Sequence, residues 1–383
     1  MSPLLHPVKA PSPVAGGRSH TLDILRGVAV LLVFTRHVNG LPFSSLGWIG
    51  VDLFFVLSGF LVSGLLFQEY IELGVVRPGT FLLRRAFKIY PQFYVFLAAT
   101  VAALLATGQS FAITNFFAEA AFFQNYHQGF WTHTWSLAVE EHFYLLLAAA
   151  VAFFTSTRNK LRRYPNVPNT LLAVAALVLI LRIVTAIAIR DFRFETHFSP
   201  SHLRIDSLLA GVWIAHHYHF NPAFLQRLLD RFRYPLSIAS IACLIPAAFL
   251  PMDHIFVYTI GLTLNYVAFG ILLLMAIFPL KTSRTGRVGI WGRGLAAIGR
   301  SSYGIYLWQG PVVFLCEAAR AKAGAAGHTV SQISFFLLCL PVVVFIGVLM
   351  TKLIEMPFLA LREKVVPRRI RGIALESAPV FSK

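Results

Sequence analysis

Charged residues and cysteines are both scarce in this chain of 383 residues. Asp, Glu, Lys and Arg together make up only 13% of it, whereas apolar residues make up 57%, and the mean hydropathy is +0.69. A soluble domain of this length needs far more charge to cover its surface, so this composition excludes one. Because apolar stretches of transmembrane length recur from end to end, the sequence predicts an all-α, polytopic membrane protein.

The few cysteines exclude two further kinds of site. Cys243, Cys316 and Cys339 all lie in apolar runs, and their spacing fits neither a metal site nor a disulfide framework. They are predicted to be small core residues. The sequence also lacks a zinc motif, a phosphate-binding Gly-rich loop, a dinucleotide fingerprint and a nucleophile elbow, so no metal is expected.

Hydropathy predicts the domain organisation. Residues 1–20 are predicted to be a flexible N-terminal tail rather than a signal peptide, since no small-residue cleavage site follows the first apolar run. Residues 21–360 are predicted to form one transmembrane domain, and residues 361–383 a basic tail. The aromatic residues at 110–130 are interrupted by polar ones, which favours a partly buried outer loop. Ten spans are predicted, at residues 22–38, 48–68, 91–107, 136–155, 171–189, 203–219, 236–250, 256–278, 297–316 and 333–355.

Acidic residues are about half as common as basic ones, and the formal net charge is +17. In a membrane protein this excess indicates basic cytoplasmic loops rather than a nucleic-acid partner. The basic residues cluster in alternate connections, at residues 77–88, 158–163, 227–233, 281–293 and 362–371. This alternation predicts that both termini are cytoplasmic.

Two ionisable residues in the first span are the strongest functional signal. Arg26 and His37 are eleven positions apart, which places them on one helix face about 16 Å apart along the axis. Ionisable groups within a membrane usually mark a functional path. His37 is predicted to be a general base, because its pKa is naturally close to neutrality. Asp23 is one turn from Arg26, so that pair could equally be structural support or a ligand contact.

A basic cluster precedes the third span. Arg84 and Lys88 are four residues apart and Arg85 lies between them, so on a helix the three project together. Every inner loop carries cations that anchor topology, but this compact group also suits a phosphorylated ligand such as coenzyme A.

Two adjacent carboxylates, Glu140 and Glu141, lie near the start of the fourth span. Either one could orient His37 and stabilise its cationic form. The alternative is an interfacial aromatic belt with solvated acids, since Trp135 and Tyr144 are close by. Glu140 and Tyr144 share a helix face at positions i and i+4.

Weaker signals complete the predicted site. Arg204 and Asp206 are an ion-pair candidate at the start of the sixth span, and Pro357, after Glu355, is expected to end the tenth. The remaining supporting or cavity-lining candidates are Asp52, Ser58, Tyr303 and Gln309.

With these residues in place, the chain resembles the acyltransferase-3 family of bacterial integral-membrane O-acyltransferases over about residues 20–360. Six elements occur in order and carry the resemblance. They are Arg26 with His37; the run from Gly50 to Phe60; the basic cluster before Tyr90-Pro91; Trp135-Ser136-Leu137 with Glu140 and Phe143-Tyr144; Ser302-Tyr303 to Trp308; and Glu355 with Pro357.

The resemblance implies transfer of an acyl group, usually acetyl, from cytoplasmic acyl-coenzyme A to a hydroxyl of a sugar, polysaccharide or glycolipid at the inner membrane. It links Arg26, His37, Arg84 and Arg85 to activity. Two positions depart from the family pattern: Lys88 replaces the usual arginine, and Gln309 stands where histidine is common. No appended hydrolase-like domain is expected, so the protein would act alone or with a separate periplasmic partner. The alternative function is a transporter or exporter of a glycan or small metabolite, although inverted repeats are not visible.

Overall fold

The computed structural model describes residues 19–38, 44–156, 166–279, 289–326 and 328–367. These residues form α-helices joined by short turns and contain no β-strand. The helices are α1 (His20–Arg36), α2 (Ile49–Leu73), α3 (Pro78–Ala106), α4 (Ile113–Ala120), α5 (Trp135–Ser156), α6 (Val167–Ala188), α7 (Ile205–Phe220), α8 (Pro222–Phe249), α9 (Leu262–Ile277), α10 (Ile290–Arg300), α11 (Ser302–Ala325), α12 (Gln332–Met350) and α13 (Met356–Val365).

The all-α membrane fold is confirmed, because the described residues include 7 helical stretches that are long and apolar enough to cross a membrane. A helix lies at each of the ten predicted spans, but three of these helices are outside that set. The helices α1 and α7, of 17 and 16 residues, are too short, and α11, of 24 residues, is not apolar enough. The number of spans therefore stays a prediction. Between α3 and α5, α4 has 8 residues, too few to span a bilayer.

Two predicted helix starts were wrong. The third helix begins at Pro78 rather than near residue 91, so the basic cluster lies within α3, and Pro91 lies inside the helix. Proline is tolerated there because neighbouring helices can satisfy the backbone groups that it frees. The helix predicted at residues 236–250 begins at Pro222 and is kinked at Phe232, where φ is −123° and ψ is 18°. Pro235, one turn later, accounts for the kink.

The last two predicted spans also differ from prediction. The helix around residues 297–316 is broken at Ser301 into α10 and α11. Pro357 does not end the final helix, since a π-turn at Thr351–Glu355 joins α12 to α13. After that turn Pro357 occupies the first turn of α13, where a missing N–H costs little. The predicted basic tail therefore begins within a helix that continues to Val365.

The centre of the bundle is α2, whose residues are mostly buried, and it crosses α7 at two glycines. A Cβ on Gly59 would lie 2.0 Å from the carbonyl oxygen of Leu208, and one on Gly211 would lie 2.2 Å from that of Val56. Only glycine permits such an approach, which is the usual way membrane helices pack closely. Gly27 and Gly299 pack α1 on α10 in the same manner, and this contact fixes the helix that carries Arg26.

Several predictions fall outside the described residues. These are the N-terminal tail up to residue 18, the segment after Val38, the basic connections at 158–163 and 281–288, and the tail from residue 368.

Candidate active site

The basic cluster on α3 lines a large cavity at one end of the bundle, which we call the basic end. Arg84, Arg85 and Lys88 face this cavity from one side, and α2 and the end of α13 form its other walls. Its volume is about 610 Å³, within the range of about 300–1,000 Å³ that is typical of ligand sites. The predicted convergence of the three cations is therefore confirmed.

A small cavity of about 70 Å³ adjoins the large one. Arg26, Leu61, Arg85 and Lys88 line both cavities, so ligand groups could pass from one to the other. Arg26 donates from Nε to Ser302 Oγ (3.1 Å) at the start of α11. The structure thus places Arg26 beside the basic cluster; Asp23, one turn earlier on α1, is buried.

Both carboxylates of α5 lie at this small cavity. Glu140 accepts a hydrogen bond from the Tyr144 hydroxyl (2.6 Å), and the oxygen of Tyr144 is 2.8 Å from Ser58 Oγ. Arg85 lies over the ring of Tyr144, 5.1 Å from its centroid. The predicted partnership of Glu140 with His37 was wrong, because Glu140 turns toward the cations of the basic end. The i, i+4 relation of Glu140 and Tyr144 was correct.

Glu141 was also wrongly predicted to orient His37. It accepts a hydrogen bond from the Tyr90 hydroxyl (3.0 Å) and lines the small cavity with Tyr303. Tyr303 donates to the carbonyl oxygen of Ile89 (2.8 Å), which ties α11 to α3. The acidic pair therefore belongs to the cation-lined cavity and balances part of its charge.

His37 lies at the opposite end of α1, where it caps the helix, and its ring meets a second histidine. The edge of one ring faces the other, with the centroids of His37 and His133 5.8 Å apart. His133 Nε2 is 3.1 Å from the carbonyl oxygen of Leu307. Since a carbonyl can only accept, His133 donates there, and in the neutral ring Nδ1 carries the free lone pair. We call His37 and His133 the histidine pair.

Sequence reasoning missed His133, although it is an ionisable residue only two positions before the predicted Trp135. Tyr306 was missed too. Its hydroxyl donates to the backbone carbonyl of His133, and Ser136 Oγ hydrogen-bonds to the same hydroxyl. Tyr306 also contacts Phe54, a residue of the small cavity, with ring centroids 6.0 Å apart. Phe54 and Tyr306 therefore separate the small cavity from the histidine pair.

Gln309 is fully buried on α11, next to Gly310, where a Cβ would lie 2.5 Å from Cε1 of His133. Neither its side-chain nitrogen nor its oxygen has a hydrogen-bond partner among the described residues. Gln309 therefore remains a candidate polar group near the histidine pair.

The segment that carries His133 is fixed to α4 by a buried acid outside the membrane-spanning helices. Glu119 has no exposed surface, and its Oε2 accepts a hydrogen bond from the Phe130 backbone N–H (3.0 Å). Burial raises the pKa of Glu119 from 4.5 to about 7, although that hydrogen bond opposes the shift. The folded protein therefore retains a proton that the unfolded chain loses above pH 4.5.

This difference predicts that Glu119 lowers stability as the pH rises from 4.5 to about 7. Glutamine mimics the protonated acid, so Glu119→Gln should raise the unfolding temperature at about pH 8 and change it little at about pH 5. Thermal unfolding in detergent at both pH values measures the effect. An equal change at both pH values would show that the carboxyl does not titrate in this range.

A buried charge cluster contains four of the predicted supporting residues, Arg204, Asp206, Asp52 and Trp135. The predicted Arg204–Asp206 pair was wrong: Arg204 pairs with Asp52 (Nη2 to Oδ1, 2.6 Å), whereas Asp206 pairs with Arg182. Asn265 also donates to Asp52 (3.2 Å). The guanidinium of Arg204 lies over Trp135, 5.3 Å from the ring centroid. The buried ion pairs join α2, α6 and α7.

Within the described residues, no group of three or more His, Cys, Asp and Glu could hold a metal ion. Comparison with known proteins identifies the family of this chain. The model of the acyltransferase-3 family, described as an acyltransferase domain, matches residues 19–352. The chain belongs to this family. The matched range includes the histidine pair and the residues of α1, α2, α3 and α5 that line the two cavities. The helix α13 lies beyond it.

Three curated relatives show how far the likeness extends. YrhL of Bacillus subtilis is 28% identical over 77% of this chain and 48% of its own length. The peptidoglycan O-acetyltransferase OatA of Listeria monocytogenes is 28% identical over 77% of this chain and 49% of its own length. The O-acetyltransferase OatA of Staphylococcus aureus is 27% identical over 76% and 50%. The chain therefore spans about half the length of these relatives. No solved structure matches it at a significant level.

Proposed function

We propose that this acyltransferase-3 protein transfers an acyl group, acetyl in the first instance, from acyl-coenzyme A to a hydroxyl of a polysaccharide or glycolipid. The observation that carries the proposal is the pair of adjoining cavities, which lead from the basic cluster to Arg26. His37 lies at the other end of the same helix. Two relatives named as O-acetyltransferases, one of them a peptidoglycan O-acetyltransferase, support this class of reaction and acceptor.

The donor enters from the cytoplasm in this proposal. Basic loops favour the cytoplasmic side of a bacterial inner membrane, which orients the basic end inward and the histidine pair outward. Arg84, Arg85 and Lys88 then meet the phosphates of coenzyme A, because arginine binds phosphate oxygens through two parallel hydrogen bonds and lysine does so as a point charge. Arg26 lines the route by which the thioester arm passes into the small cavity.

The thioester must reach the acceptor at the histidine pair. On α1 the two ends of the site are about 16 Å apart, and the rings of Phe54 and Tyr306 lie between them. Passage of the acyl group therefore requires these two rings to move. The acceptor hydroxyl, bound from the outer side, would meet the thioester beside His37.

The chemistry is a general-base-assisted acyl transfer. His37 takes the proton of the acceptor hydroxyl while the oxygen attacks the thioester carbonyl. The carbon–sulfur bond then breaks and an ester forms. The sulfur receives the proton that His37 had taken, so coenzyme A leaves as the thiol and His37 returns to its neutral form. The ring of His133 meets that of His37 edge to face, and the two rings would repel each other if both were imidazolium ions.

Radiolabelled acetyl-coenzyme A and a crude glycan fraction test the proposal in membranes that contain the protein. Label should reach the glycan. We expect Arg85→Gln to raise the KM for acetyl-coenzyme A about tenfold or more, because it removes a charge-assisted phosphate contact. Arg85→Lys should recover part of this loss, since it retains the charge without the paired hydrogen bonds.

Arg320, which is partly exposed and paired with Glu317 on α11, provides the control. Arg320→Gln should leave the KM unchanged. If wild-type protein transferred no label to any acceptor and coenzyme A did not change its thermal stability, the transporter alternative would replace this proposal.

A further inference from the structure

The helix α13 forms a wall of the large cavity, although it lies beyond the family match. Arg362, Val365, Val366 and Pro367 line this cavity opposite the basic cluster of α3. The family model ends at residue 352, so these residues are not part of the pattern that identifies the family. The cavity therefore contains a cation, Arg362, that lies outside the residues matched by the family model.

A single carboxylate joins this cation to the basic cluster. Glu363 Oε1 is 2.8 Å from Arg84 Nη2 and 2.6 Å from Arg362 Nη2, and it also accepts from Arg362 Nε (3.0 Å). Arg84 donates in addition to the backbone carbonyl of Val366. One oxygen atom thus holds two guanidinium groups that face the same cavity.

We infer that Arg362 is a fourth phosphate-binding cation and that Glu363 holds its place until a phosphate group arrives. This inference rests on the proposed function. The Glu363 side chain is 48% exposed, so its ion pairs face water and contribute little stability. A phosphate group presents three strong acceptor oxygens and can bind both guanidinium groups bidentately. Phosphate therefore exchanges readily for the carboxylate.

The order of residues along the two cavities indicates which phosphate is bound. Arg26, Arg85 and Lys88 line both cavities and lie nearest the thioester end, whereas Arg77, Arg84 and Arg362 line only the large cavity. Of these three, Arg84 and Arg362 are held together by Glu363. Coenzyme A carries its diphosphate between the pantetheine arm and the ribose, and its separate 3′-phosphate at the far, nucleotide end. The geometry assigns the 3′-phosphate to Arg84 and Arg362. The α13 wall thus distinguishes coenzyme A from dephospho-coenzyme A.

Binding of these two ligands to the purified full-length protein tests the assignment. Wild-type protein should bind coenzyme A more tightly than dephospho-coenzyme A. Arg362→Gln should weaken coenzyme A binding about tenfold and leave dephospho-coenzyme A binding nearly unchanged. Lys88→Gln should instead weaken the binding of both ligands to the same extent. Arg362→Lys should keep part of the preference, which separates loss of charge from loss of structure.

Glu363→Gln should tighten coenzyme A binding by up to about fivefold, because a competing carboxylate is removed. Glu317→Gln, at a partly exposed ion pair on α11, is the matched control and should change the binding of neither ligand. This inference alone would be overturned if Arg362→Gln left the ratio of the affinities for coenzyme A and dephospho-coenzyme A unchanged. Weaker coenzyme A binding in Glu363→Gln would overturn it too. Wild-type protein that binds neither ligand would overturn the proposed function as well.

Discussion

His37→Ala should lower acyl transfer at least about a hundredfold, because general-base catalysis typically contributes about 10²–10⁴ to the rate. The substitution removes the group that accepts the proton of the acceptor hydroxyl. His37 is half-buried at the end of α1 and lies far from the cations that bind the donor, so coenzyme A binding should persist. The measurement is transfer of radiolabelled acetyl to glycan, together with the thermal shift caused by coenzyme A.

A second substitution tests the other member of the histidine pair. His133→Ala removes the ring that contacts His37, and it should also reduce transfer because the His37 imidazole loses that contact. His127 is an exposed histidine in the segment before α5, so His127→Ala is the matched control and should retain full activity. If the His37→Ala protein retained more than about a tenth of the wild-type rate, His37 would not be the general base.

The positions of the helices could be predicted because a bilayer forces apolar segments to satisfy their own backbone hydrogen bonds. Their ends could not. Pro91 was predicted to begin a span and Pro357 to end one, yet in this protein one lies inside α3 and the other in the first turn of α13. Packing against neighbouring helices outweighs the local preference of proline, and a single sequence does not reveal that packing.

The candidate site shows the same division between local and long-range relations. The convergence of Arg84, Arg85 and Lys88 follows from their helical spacing, as does the bond between Glu140 and Tyr144. Contacts between distant segments were not accessible. His133 meets His37 across almost a hundred positions, and Arg204 takes Asp52 as its partner, 152 positions away, rather than the nearby Asp206. Such choices depend on which helices are neighbours in the bundle.

Asp52→Ala should lower the free energy of unfolding by about 3–5 kcal/mol, the usual cost of removing one partner from a buried ion pair. Asp52 and Arg204 have no exposed side-chain surface, so the remaining guanidinium would lose its counter-ion without gaining water. Asn265 would lose its hydrogen-bond acceptor at the same time. Thermal or denaturant unfolding in detergent measures the change, which should come with full loss of activity if the bundle opens.

A double substitution separates loss of charge balance from loss of packing. Asp52→Leu combined with Arg204→Met replaces both ions by apolar groups, and it should recover much of the stability lost in Asp52→Ala. The partly exposed pair of Glu317 and Arg320 serves as the control, and Glu317→Ala should cost less than about 1 kcal/mol. If Asp52→Ala cost as little as Glu317→Ala, the buried pair would not hold α2 to α7. Close packing at Gly59 and Gly211 would then be the main contact between these helices.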